Sequence, residues 1–105
     1  MVHEIIKYVY KHNQKKAVMI ANKRADGGVS IGYAMQHPND VFSKKRGLAL
    51  ARNRANAWID RDIDHVAIPE TLIPVLTEFA DRCETKFGID NIPLWARELS
   101  AGVLL

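Results

Sequence analysis

The chain holds one cysteine, Cys83, so no disulfide can close within it. Such cysteine usage fits a reducing compartment. No run of some 18 apolar residues occurs, which argues against a membrane-spanning helix. The N-terminus shows no basic start followed by an apolar stretch and a small-residue cleavage site, so a soluble cytoplasmic protein is expected. Zinc-finger, RRM and bZIP signatures are missing, and Gly27-Gly28 fits a hairpin turn rather than a P-loop or dinucleotide fingerprint. The four histidines are scattered, and none has a nucleophile beside it to activate. Nothing calls for a cofactor, and a non-catalytic role is expected.

What is present describes one α+β domain spanning 1–105. With 48% hydrophobic and 26% charged residues the chain sits near the globular average. At 105 residues it can bury a core without metal or disulfide help. The net charge of +3 hides an asymmetry. Residues 1–56 carry eleven Lys/Arg against three acids, and residues 57–105 carry four against nine. The front half is thus suited to an anionic partner, or to the chain's own acidic rear half.

Period-two alternation of β-branched and aromatic residues predicts a strand over 3–11, with Ile6, Tyr8 and Tyr10 on one face. HNQK (His12 to Lys15) reads as a turn. KAVMIANK, ending at Lys23, reads as a second strand with Val18 and Ile20 on one face. Asp26-Gly27-Gly28 supplies the positive φ of a tight reversal. In the third strand, Val29 to Gln36, the small residues Ser30, Gly32 and Ala34 leave room for another element. His37-Pro38 ends the meander. A first helix is expected from an Asn39 N-cap to about Ile59, with Val41, Leu48, Ala51, Ala55, Trp58 and Ile59 buried. Ser43 is the less favoured start, because it places three cations against the helix dipole. Gly47 in this helix suggests a close crossing with the sheet. Leu72, Leu76, Phe79, Cys83 and Phe87 then mark an amphipathic helix closed by Gly88. Pro93 opens a short last helix.

The predicted architecture is therefore a three-stranded antiparallel β-meander packed against two main α-helices and a short C-terminal helix. One shared core is expected from Ile6, Val18, Ile20, Ile31, Tyr33, Leu48, Trp58, Leu72, Leu76, Phe79 and Phe87.

The candidate binding residues are Lys44, Lys45, Arg46, Arg52 and Arg54 on the first helix, with Lys15 and Lys16 from the hairpin. Lysines and arginines grip a phosphate backbone by releasing its counterions. On a helical wheel these cations spread around the solvent side, which suits a merely solvated face as well. Asp60, Asp62, Asp64 and His65 resemble metal ligands, but an EF-hand requires glycine at the sixth position and glutamate at the twelfth; His65 and Thr71 stand there. No metal site is assigned. Cys83 falls on an apolar stripe and reads as core.

The succession of a meander, "HPNDVFSKKRGLALARNRA" and "IPETLIPVLTEFADRC" resembles small accessory proteins of tailed bacteriophages and prophages, over residues 29–87. The resemblance implies a viral protein at work in the host bacterial cytoplasm and carries no catalytic site. The expected function is a non-catalytic accessory protein that binds an anionic partner, nucleic acid first among them. One alternative is a protein-interaction module that inhibits or redirects a host bacterial factor through an open sheet edge or the apolar tail, with homodimerisation compatible with every reading. A small metal-dependent hydrolase built on Asp60, Asp62 and Asp64 is a third.

Overall fold

A computed structural model describes residues 3–11, 14–36 and 43–104, without the side chains of Gln14 and Lys15. Three strands, β1 (Glu4–Lys11), β2 (Gln14–Lys23) and β3 (Val29–Met35), form one antiparallel sheet in the order β1-β2-β3. Helix α1 (Lys44–Ala57) follows, then α2 (Ile73–Phe87) and the short α3 (Leu94–Ser100). The α+β meander-and-helices architecture expected from the sequence is the one found. Short 3-10 turns at Ile63–His65, Glu70–Leu72 and Ile89–Asn91 link the later elements.

The β2–β3 reversal is closed by Arg24 N donating to Gly28 O and Gly27 N donating to Arg24 O. Gly27 adopts φ 90°, which only glycine takes at no steric cost. The Asp26 carboxylate accepts from Gly28 N, and that bond lowers its pKa. The turn expected at His12 to Lys15 is shorter than that: Gln14 and Lys15 already belong to β2, pairing with Lys11 and Tyr10, while His12 and Asn13 lie outside the described residues, as do His37, Pro38 and Val41.

Two separate cores replace the single one expected, because helices cover both faces of the sheet. Ala17, Met19 and Ala21 of β2 and Val29, Ile31 and Tyr33 of β3 face α2 and α3, joining Leu76, Phe79, Cys83, Trp95 and Leu99. Val18 and Ile20 point the opposite way with Ala34, against Ala51 and Ala55 of α1. Ile6 pairs with Ile20, which puts it on the α1 side, where it stays 39% exposed. Ile5 and Val9 are the residues β1 turns toward α2 and α3; Ile5 is 6% exposed. Leu48 and Phe87 are half-buried rather than central.

Helix α1 can lie so low over the sheet because Gly32 has no side chain. A Cβ there would fall on the Ala51 carbonyl oxygen and within 2.5 Å of the Ala55 amide nitrogen. The close crossing inferred from Gly47 is thus made at Gly32. Beyond it, Trp58 caps α1 and turns round the β3 edge into the opposite core. Its ring meets Tyr33 at 5.2 Å and Trp95 at 5.9 Å, the second edge-on. The Tyr33 hydroxyl donates to the Ala67 carbonyl, tying the connector to the sheet.

Helix α2 follows its apolar stripe: Leu72, Leu76, Phe79 and Cys83 are all buried. Pro74 occupies its first turn, where no helical N–H is lost, and Gly88 closes it at φ 92°. The Ser100 hydroxyl of α3 lies within hydrogen-bond reach of the Glu84 carboxylate (2.7 Å) and of Asp81, fixing α3 beside α2.

Candidate nucleic-acid interface

The basic segment begins one turn later than the dipole argument favours. Ser43 is the N-cap of α1, its hydroxyl accepting from Arg46 N at 3.4 Å, and Asn39 lies outside the described residues. The first turn therefore carries Lys44, Lys45 and Arg46 and no acid. Each cation at this end opposes the partial positive charge of the unbonded N–H groups, by about 0.3–1 kcal/mol. That penalty is small beside the packing at Gly32, Ala51 and Ala55, which decides where the helix lies. The helix also ends earlier than Ile59, at Ala57.

The five α1 cations divide into two groups. Arg52 donates two bonds to Glu4 of β1, Nη2 to Oε1 at 2.8 Å and Nε to Oε2 at 3.2 Å. This bidentate pair raises the guanidinium pKa further and neutralises the charge locally. Arg54 donates to the Tyr33 carbonyl at 3.2 Å. Gln36 N donates to Lys16 O, so by antiparallel alternation the even-numbered β3 residues face β2 and Tyr33 O points off the sheet edge. Arg54 thus caps an edge carbonyl. Both arginines are tied to the sheet.

Lys44, Lys45 and Arg46 are exposed and take part in no ion pair among the described residues. The Lys44 ammonium stands 5.6 Å from the Tyr8 ring centroid, a cation–π contact that leans it over β1. Tyr10, two residues along on the same strand, is 57% exposed. The Lys15 side chain lies outside the described residues, and Lys16 is half-buried near the sheet end. The described part of the hairpin thus adds the Tyr8 ring to the surroundings of Lys44. Alternation in β1 pointed to Tyr8 and Tyr10 sharing a face; that a lysine from α1 would sit over one of them is a tertiary fact.

The acids of the connector do not neutralise α1. Asp62 caps the 3-10 turn, accepting from His65 N at 3.2 Å and lying 2.5 Å from His65 Nδ1. The hydrogen bond from His65 holds the Asp62 carboxyl below its usual pKa. Among the described residues, no group of three or more His, Cys, Asp or Glu is placed to hold a metal ion. Cys83 is fully buried, and desolvation pushes its thiol up to about 12, far from a nucleophile's range. No described helix is long and apolar enough to cross a membrane. Comparison with family profiles, curated proteins and solved structures gave no match to this chain.

Proposed function

We propose that the protein is a non-catalytic, phage-type accessory protein of the bacterial cytoplasm that binds nucleic acid through the first turn of α1. One observation carries the reading. Lys44, Lys45 and Arg46 crowd a helix end that already bears positive partial charge, with no acid in that turn and no ion-pair partner among the described residues. A phosphate backbone relieves that repulsion, accepts from the helix N–H groups and releases counterions as it binds. Tyr10, 57% exposed on the same strand as Tyr8, offers a ring on which an unpaired base can stack. Arg52 and Arg54, serving Glu4 and Tyr33, contribute little to the contact.

Titration of labelled single-stranded and duplex DNA and RNA at low salt tests this. The expected result is binding that weakens steeply as salt rises and is lost on combined substitution of Lys44, Lys45 and Arg46 by alanine. Absence of binding at about 50 μM protein would remove the reading. The competing function, docking onto a host protein, predicts one stoichiometric partner captured from nuclease-treated bacterial lysate.

A further inference from the structure

A cleft of about 510 Å³ opens where the β2–β3 turn, the exit of α1 and the start of α3 meet, and its lining residues all lie among the described ones. Its charged side chains fall into two classes. Arg24 and Asp26 are spent on each other: Arg24 Nε stands 3.3 Å from Asp26 Oδ1, and Arg24 Nη1 donates to the buried Ser30 hydroxyl at 2.9 Å. Gly28 makes room for that arrangement, since a Cβ there would meet Arg24 Nη2 at 2.1 Å. Arg97, Asp60 and Asp90, by contrast, enter no ion pair and no side-chain hydrogen bond among the described residues. Arg97 is half-buried, and its Nε is shut off from solvent with no acceptor. A guanidinium so placed has given up water without a counter-charge, which an acceptor in the cleft supplies.

We propose that this cleft binds a free α-amino acid, its carboxylate on Arg97, its ammonium toward Asp60 and Asp90, and an apolar side chain against Ile59 and Leu94. The charges select the occupant. Arg97 faces the same cleft as Asp60 and Asp90 without pairing to either, so opposite charges stand apart with room for a molecule between them. A simple anion answers Arg97 but meets two carboxylates, and a simple cation answers the carboxylates but meets Arg97. A zwitterion satisfies both. The planar guanidinium suits a carboxylate in particular, because it can donate two parallel bonds to it. Leu94, 44% exposed, and the half-buried Ile59 give the cleft an apolar wall beside these charges. None of these residues belongs to the first turn of α1, so the site is independent of nucleic-acid binding.

Isothermal titration of the full chain with L-leucine is expected to give a Kd on the order of 1 mM, and about 10 mM L-leucine should raise the melting temperature. L-Leucinamide, which lacks the carboxylate, and N-acetyl-L-leucine, which lacks the ammonium, should each bind at least about tenfold more weakly. Arg97→Gln, and Asp60→Asn together with Asp90→Asn, should weaken L-leucine binding to a similar degree with far-UV circular dichroism unchanged. The ligand series on the native chain decides the matter even where a variant fails to fold. No binding of L-leucine at about 10 mM, or equal binding of the amide or the N-acetyl form, overturns the proposal. Full L-leucine affinity in a folded Arg97→Gln chain overturns it as well.

Discussion

On one face of the sheet Met19, Ile31 and Tyr33 meet Leu76, Phe79, Trp95 and Leu99; on the other, among the described residues, Val18, Ile20 and Ala34 meet Ala51 and Ala55, flanked by Leu48 and Tyr8. The first face is held by large apolar area. The second is held by proximity, with a glycine and two alanines letting backbone approach backbone. A helix attached through such small residues leaves most of its surface to solvent, and α1 fills that surface with cations. Stability and the proposed binding thereby fall on opposite sides of one sheet.

The largest effect is expected from the area-rich side. Phe79→Ala removes a ring that is 1% exposed and should cost about 3–5 kcal/mol in denaturant unfolding. Gly32→Ala attacks the other side, forcing a methyl into the Ala51 and Ala55 backbone, at a cost of about 1–3 kcal/mol. Its distinguishing mark is regional: amide exchange should quicken in α1 while α2 and α3 stay protected. Equal loss of protection on both faces would break the comparison.

Alkaline pH acts chiefly on the area-rich side. Desolvation raises the pKa of both the Cys83 thiol and the Tyr33 hydroxyl. Groups raised on folding contribute stability that is intact below their unfolded pKa and lost as pH climbs through the folded one. Stability should therefore decline as pH rises from the ordinary thiol value of 9.0 toward about 12, and Cys83→Ala should flatten the early part of that decline. Native Cys83 should meanwhile resist thiol reagents at neutral pH until the chain unfolds. The smallest effect belongs to Arg52→Gln. Its pair with Glu4 is 47% exposed on the arginine side, so roughly 0.5 kcal/mol is expected.

Strand periodicity, the Asp-Gly reversal and the α2 stripe were readable because each is a local pattern. The two-sided burial of the sheet was written in Ala17–Ala21, an unbroken apolar run that suits a strand covered on both faces. It was obscured by β1, where Ile5 and Ile6 are both apolar and alternation cannot tell which faces inward. The start of α1 was misjudged because a dipole penalty of a few tenths to 1 kcal/mol cannot outweigh where Gly32 lets the helix sit. For the candidate site, sequence supplied the cations but not their partners. Glu4 lies 48 residues from Arg52 and Tyr33 lies 21 from Arg54, and only folding separates these tied arginines from the exposed first turn.

The most direct test of that separation compares nucleic-acid affinity against salt for the wild type, for Lys44→Ala/Lys45→Ala/Arg46→Ala, and for Arg52→Gln. The triple variant is expected to flatten the slope of log affinity on log salt by about 2 to 3, with Arg52→Gln close to wild type. An unchanged slope in the triple variant, or an equal loss in Arg52→Gln, would contradict the assignment of binding to the first turn of α1.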